Sequence, residues 1–372
     1  MTNLQVRSIG SDQAQEFYIT AAPDPNLPLS ERAKRLFTVV ADVLRAHDAR
    51  LLEERLFATE PALEILEPLR AAAYGALDDG VPPVRLAVPE SLDGPFAGVL
   101  VHAVRCDGPI ETLRLDETSG GRILSGERGA YVAFTGIVAP ERGSAATAQA
   151  RAVFEKAEAA LARAGLTLHA VARTWLWLGD ILVWYGEFNQ VRNRFFSERG
   201  LLDGRPDANR LPASTGIGVR PAGPARCALD LIAVSGRGEG VELRNAIGDQ
   251  HCAYEYGSAF SRASCAATPA GQTVFISGTA AIDAHGRTEH VGNPRAQIDD
   301  TIAHVRAALR DMRCTDADVV QSIAYCATPQ VLELFRAAQA DLPWPCLTML
   351  ADICRPDLLF EIEATAAPAA GV

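Results

Sequence analysis

The sequence predicts an α/β fold made of three copies of one α+β unit, arranged as a pseudo-trimer within a single chain. Three observations lead there. Three β-rich runs resemble one another, "EFYITAAPD" from Glu16, "AYVAFTGIVAPE" from Ala130 and "QTVFISGTAAID" from Gln272, and each ends at a turn with Pro, Asp or Gly. Each run is followed by the same order of patterns: amphipathic helix, strand, second helix, closing strand. The closing strands "GVLVHAVR", "ALDLIAVSG" and "LLFEIEATAA" begin at residues 98, 228 and 358, a period of about 130.

The first helix of each copy carries its apolar residues at spacings of three and four, which puts them on one face. These are Leu36, Val40, Val43 and Leu44, then Val153, Ala157, Ala160 and Leu161 with Gly165 closing, then Ile298, Ile302, Val305 and Leu309. The next strands read "ARLLEERLFA", "VARTWLWLG" and "VQSIAYCAT". The second helices carry Leu66, Leu69 and Ala73, then Phe188, Val191 and Phe195, then Val331, Leu334 and Phe335. One sheet covered by two helices leaves its other face to bury, and three such sheets can cover one another about a pseudo-threefold axis. The expected units are residues 1–115, a degenerate first copy, then 116–245 and 246–372, joined by Gly-, Ser- and charge-rich linkers near 110–128 and 236–258.

A chain of 372 residues with 48% hydrophobic content can bury a large core. A net charge of −11 with no basic run argues against nucleic acid or an acidic membrane as partner. The opening "MTNLQVRSIGSDQ" has no signal pattern and no long apolar stretch, so a cytoplasmic protein is expected, and the threefold recurrence within one chain predicts a monomer or a weak oligomer. The eight cysteines form no CxxC pair and read as structural thiols of a reducing compartment. The seven histidines show no ligand spacing such as HExxH, and no GxxxxGK[ST] loop is present, so neither metal nor cofactor is expected. "GRGEG" at 236–240 lacks a strand–turn–helix setting and reads as a flexible turn.

The candidate site begins with "LLFEIEATAA". Phe360, Ile362 and Ala364 alternate with Glu361, Glu363 and Thr365, yet the run Leu358–Leu359–Phe360 suggests a strand buried on both faces. A carboxylate there is costly unless something uses it. Arg192 stands in "YGEFNQVRNRFF", two helix turns after Tyr185 and beside Phe188 and Phe195. It reads either as an anion-binding cavity residue or as a surface arginine lying over an apolar stripe. Arg336 offers the same two readings. Arg173, inside a strand, is either a ligand-binding group or half of a buried ion pair. "STGIG", 214–218, either lines a cavity or permits close backbone packing.

The unit resembles the RidA/YjgF reactive-intermediate deaminases, a chorismate-mutase-like α+β fold. The "FEIEATAA" strand is similar to that family's "EIEAIA", whose first Glu, here Glu361, lines the active site. The deaminases' substrate-gripping arginine is missing, with Ser214 and Cys346 at the matching positions. Over about the last two-thirds of the chain, "ARTWLWLGDI", "YGEFNQVRNRFF", "LPASTGIG", "VFISGTAAI", "HVGNPRAQ" and "ADICRPDLLFEIEA" together resemble the chorismatases. That resemblance implies chorismate as substrate and a cofactor-free lyase releasing pyruvate and a hydroxybenzoate, 3-hydroxybenzoate or its 4-hydroxy isomer. It implies Glu361 rather than Glu363 as proton donor, and Tyr185, Arg192, Thr215, Gly278, Arg336 and Cys354 as substrate-binding residues. The middle unit has Ala228 where the last has Glu361, so a single complete site is expected in the last unit, facing the middle one. Gly278 and Cys354 match the hydroxybenzoate formers, where the hydrolytic branch has Ala at both. Glycine would leave room for the substrate ring and the thiol would occupy space otherwise open to water. The alternatives are hydrolytic cleavage to a dihydroxycyclohexadiene carboxylate, imine deamination, and non-catalytic binding of small aromatic acids.

Overall fold

The computed structural model describes residues 2–117, 119–126, 129–139, 145–203, 205, 209–236, 240–248 and 250–368. The centre of the "GRGEG" turn, 237–239, lies outside the described residues.

The first unit runs β1 (Asn3–Gly10), β2 (Ala14–Ala22), α1 (Leu29–Ala46), β3 (Arg50–Ala58), α2 (Glu60–Tyr74), β4 (Val84–Ala87) and β5 (Phe96–Cys106). The second runs β6 (Ile110–Arg114), β7 (Gly120–Gly126), β8 (Gly129–Val138), α3 (Ala146–Arg163), β9 (Val171–Leu178), α4 (Ile181–Glu198), β10 (Ala213–Ile217), β11 (Arg220–Pro221) and β12 (Cys227–Val234). The third runs β13 (Glu242–Arg244), β14 (Ala263–Thr268), β15 (Gly271–Ala280), α5 (Pro294–Asp311), β16 (Val319–Cys326), α6 (Pro329–Gln339), β17 (Cys346–Leu350) and β18 (Phe360–Ala366).

One topology recurs three times. The orders β1-β2-β5-β3-β4, β7-β8-β12-β9-β10 and β14-β15-β18-β16-β17 each insert the closing strand between a hairpin and a parallel pair. The parallel pairs β3/β4, β9/β10 and β16/β17 are bridged by α2, α4 and α6, as a parallel connection requires. Short strands stitch the copies together. β6 edges the second sheet and β13 the third, so Ile110–Arg114 and Glu242–Arg244 hydrogen-bond with the unit after the one in which the sequence reading puts them. β11, from the middle segment, pairs antiparallel with β4 of the first sheet.

Each sheet buries one face under its own two helices. Leu36, Val40 and Leu44 of α1, Val153, Ala157 and Leu161 of α3, and Ile298, Val305 and Leu309 of α5 are all buried there, while Val43 is only half-buried at the stripe's margin. The other faces meet in one shared core, in which Phe57, Trp177 and Tyr325 occupy matching positions of the three crossover strands. Phe57 and Trp177 pack edge to face, their rings 5.9 Å apart. Opposite these three residues on the closing strands stand Gly98, Ala228 and Glu361, so only one of the three equivalent positions carries an acid.

A buried ionic cluster also joins the units. Glu16 accepts from His102 Nε2 at 2.7 Å and from Thr268 Oγ1 of the third unit at 2.7 Å. Glu53 accepts from Arg55 at 2.7 Å and from Tyr131 of the second unit at 3.1 Å. Arg55 in turn donates to Asp230 at 2.8 Å.

Candidate active site

Glu361 sits at the first inward-facing turn of β18, opposite Ala280 on β15 and Tyr325 on β16. Glu363 lies two residues on and therefore points to the same face. Their surroundings differ sharply. Glu363 accepts from Arg173 Nη2 at 2.9 Å and from the Trp175 indole N–H at 2.7 Å, both on β9 of the middle unit. These two bonds fix the orientation of the Glu363 carboxylate. Arg173 is thus half of a buried ion pair, and its Nη2 also donates to Thr215 Oγ1 at 2.6 Å.

Glu361 has no ion-pair partner among the described residues and is 5% exposed. Burial, and then the negative charge of Glu363, push its pKa up to about 8, against the smaller opposing pull of Arg173, Arg262 and Arg355. It is therefore mostly protonated at neutral pH and can act as a general acid.

Its position depends on a glycine. β15 slips register between Ile276 and Thr279, a bulge that brings the Gly278 backbone against β18. A Cβ on Gly278 would stand 2.1 Å from Glu361 Oε1 and 3.1 Å from Thr215 Cγ2. The sequence reading assigns the space at Gly278 to the substrate ring. In the structure the Glu361 carboxyl occupies it. Thr215 completes the support, its hydroxyl accepting from Gly278 N at 3.0 Å.

Glu361 opens onto a partly open cavity between the middle and last units. The middle unit contributes Tyr185, Arg192, Ser214 and Gly216 to its wall. The last unit contributes Gly278, Ala280, Cys354 and Arg355, and the segment before β14 contributes Tyr256, Phe260 and Arg262. Tyr185, Arg192, Gly278, Cys354 and Glu361 are thus brought together, while Thr215 stands directly behind the wall. Arg192 is 1% exposed, which rules out the surface reading. Its Nη2 donates to Asn189 at 2.6 Å, and its Nε has no partner among the described residues. Burial lowers its pKa, partly offset by Tyr185. The Cys354 thiol is pushed up to about 12, by burial and then by Glu361, so it is a neutral space-filling group rather than a nucleophile.

Arg336 is corrected. It lies on the face of α6 turned toward the first unit and forms an ion pair with Asp93, with about a third of each side chain exposed, away from the cavity. Two lining arginines have no counterpart in the sequence reading. Arg355 follows Cys354 in "DICRPD", a motif whose cysteine alone was singled out, and it donates to the Gly286 carbonyl. Arg262 falls just past a stretch read as a linker. It is buried, donating to the His251 carbonyl at 3.0 Å and to the Tyr256 hydroxyl. A second, wider cleft of about 1360 Å³ opens between the hairpin turns of the three units, where β15 begins rather than where it meets Glu361. Asp12 and Asp107 line it, and among the described residues that line it there is no arginine or lysine.

No family model matches the chain, and no curated protein matches it. Among solved structures, a chorismatase superimposes with a TM-score of 0.63 at 23% identity, over 86% of this chain and 93% of that one. The chain has the chorismatase fold. Shorter structures align with about a third of it. A YjgF-family protein from Neisseria meningitidis is 16% identical over 35% of this chain and 97% of its own, with a TM-score of 0.28. A member of the YjgF/YER057c/UK114 family from Mycobacterium tuberculosis is 24% identical over 34% and 98%, with a TM-score of 0.25. Among the described residues no helix is long and apolar enough to cross a membrane.

Proposed function

We propose that this protein is a chorismatase-type lyase that converts chorismate to hydroxybenzoate and pyruvate. The observation that carries the reading is a buried carboxylic acid, Glu361, protonated at neutral pH, at the wall of a cavity lined by Arg192, Arg262 and Arg355. Chorismate is a dicarboxylate with an enolpyruvyl ether, and these arginines supply the positive charge and N–H donors that its two carboxylates need.

Glu361 delivers its proton to the vinyl methylene carbon, and the ether oxygen becomes part of an oxocarbenium. The ring's own hydroxyl oxygen attacks the neighbouring ring carbon and the ether bond breaks, releasing pyruvate. The hydroxyl proton returns to Glu361, and the ring rearranges to the aromatic phenol. Chorismate equals hydroxybenzoate plus pyruvate, so no water is consumed. In the hydrolytic branch a water adds to the oxocarbenium and the diene diol survives. Gly278 and Cys354 favour the lyase branch, since the neutral Cys354 thiol fills volume beside Glu361 that a water would need.

The test is incubation of the purified protein with chorismate and chromatography of the products. Hydroxybenzoate with equimolar pyruvate is expected. A dihydroxycyclohexadiene carboxylate would assign the hydrolytic branch, and binding without consumption would make the protein an aromatic-acid binder.

A further inference from the structure

We propose that Glu289, Asp300 and His304 form a binding site for a divalent transition-metal ion, best matched by Zn²⁺, on the outer side of the cavity wall. The ligand atoms of these three side chains all lie within 4.8 Å of one another. Asp300 and His304 are one turn apart on α5 and share a face. Glu289 is carried to them by the loop after β15, whose backbone is held by the Glu289 N–H donating to the Ala281 carbonyl at 2.9 Å.

Three features distinguish the cluster from an ordinary group of surface acids. First, Asp300 Oδ2 is shielded from solvent and has no hydrogen-bond partner. A buried acceptor without a partner calls for an ion or water. Second, His304 Nδ1 is turned inward, 3.2 Å from the Gln250 side-chain amide and 3.4 Å from the Ala280 carbonyl, while Nε2 faces Asp300 Oδ1 at 3.7 Å. A metal-bound histidine is usually oriented this way, one ring nitrogen on a backbone carbonyl and the other toward the ion. Two ligand atoms about 2.0–2.2 Å from a tetrahedral Zn²⁺ stand roughly 3.3–3.6 Å apart, close to that spacing. Third, among the described residues no lysine or arginine forms an ion pair with Glu289 or Asp300, and Asp300 faces His290 and His304. His290 Nε2, 4.0 Å from Asp300 Oδ2, is within reach as a fourth ligand.

Two carboxylates with one or two imidazoles form a mixed N/O set that suits Zn²⁺, whereas Ca²⁺ takes six to eight oxygens. The ion would neutralise the two acids and clamp the loop to α5. Ala280, the wall residue opposite Glu361, sits directly behind His304, so the ion would brace that wall from outside the chemistry. The sequence reading finds no metal site because the ligands are split between a loop and a helix and share no recognised spacing.

The full chain, treated with chelator and dialysed, is titrated with ZnCl₂ by calorimetry, and bound zinc is counted after a second dialysis. One equivalent is expected to bind, with a rise in melting temperature. His304→Ala and Asp300→Asn should each weaken that binding about tenfold or more, and Glu289→Gln, in the loop, gives a third variant should a helix substitution fail to fold. The eight cysteines could also capture zinc, so the equivalent must be lost in these variants to count. Absence of zinc binding by the unaltered chain would overturn the proposal, as would an equivalent that persists unchanged in the folded variants.

Discussion

Glu363 is pinned by Arg173 and Trp175, whereas Glu361, two residues away, meets no cation at ion-pair distance among the described residues. That asymmetry leads to the first predictions. Glu361→Gln should keep the fold and chorismate affinity and lose about 10²–10⁴-fold in pyruvate release, the usual contribution of a positioned acid. Near-native turnover of that variant would remove Glu361 from the mechanism. Because the reactive form is the protonated one, wild-type activity should fall as pH rises through about 8. Glu363→Gln removes the negative charge that helps hold the Glu361 proton, so the alkaline limb should move to lower pH. It also leaves Arg173 buried without its anion, a loss on the order of 3–5 kcal/mol for a buried pair. Denaturant unfolding and a pH–rate profile separate the two effects, and a profile that stays in place would make Glu363 purely structural. Gly278→Ala pushes a methyl into the space of the Glu361 carboxyl. Alone it should lower kcat with little change in KM. Combined with Cys354→Ala, which vacates volume next to the acid, pyruvate release should continue and the product should shift toward the dihydrodiol. Unchanged hydroxybenzoate from the double variant would show that these residues do not choose the branch.

At the scale of elements, α4 and α6 occupy equivalent places in their units and do different things. α4 brings Tyr185 and Arg192 to the cavity on the same face that carries Phe188 and Phe195. α6 presents Arg336 to the first unit, where Asp93 takes it up. In a Glu361→Gln background that prevents turnover, Arg192→Ala should weaken chorismate binding by about 1.5–3 kcal/mol, the scale of a hydrogen bond to a charged group. Arg336→Ala should leave it unchanged. Calorimetric titration with chorismate checks both, and equal losses at the two positions would contradict the placement of α6. The bulge of β15 is the other decisive element, since without its register slip Gly278 would not meet Glu361.

In the whole molecule, three sheets close on one core and a buried ionic cluster spans all three units. His102 illustrates its pH dependence. Burial opposes its charge, but hydrogen bonds to Glu16 and Glu53 prevail and raise its pKa to about 9. A group raised in the folded state contributes stability that is fully present below its unfolded pKa of about 6.5 and is lost as pH rises through its folded one. Unfolding free energy should therefore decline between about pH 6.5 and pH 9, and His102→Gln should flatten that decline. An equal slope in the variant, by denaturant unfolding across that range, would exclude His102 as its source. The opposite holds for Glu53, held down to about 2 because Arg55 and His102 outweigh burial. Its contribution is present above the usual carboxylate range and lost as pH falls toward 2.

Much of this architecture is legible in the sequence, because strand and helix patterns depend on residues two to four apart. The alternation in "FEIEATAA" and the three-and-four spacing of Ile298, Ile302, Val305 and Leu309 identify elements without knowledge of their neighbours. The repeat of those elements then predicts three stacked units. The sequence also marks Glu361 and Glu363 as acids in an apolar strand, and the chorismatase resemblance chooses the first. The environment of that acid is decided only in three dimensions. Arg173 lies 190 residues from Glu363, and Arg336 lies 243 residues from Asp93. Neither pairing leaves a trace in local spacing, because each depends on how separate sheets stack. Arg262 was hidden in the same way, since a loop arginine reads as solvated until Tyr256 and the cavity close over it. Local periodicity follows from backbone geometry, so one segment suffices to read it. A buried charge takes its state from groups that only the packing of distant segments brings within a few ångströms.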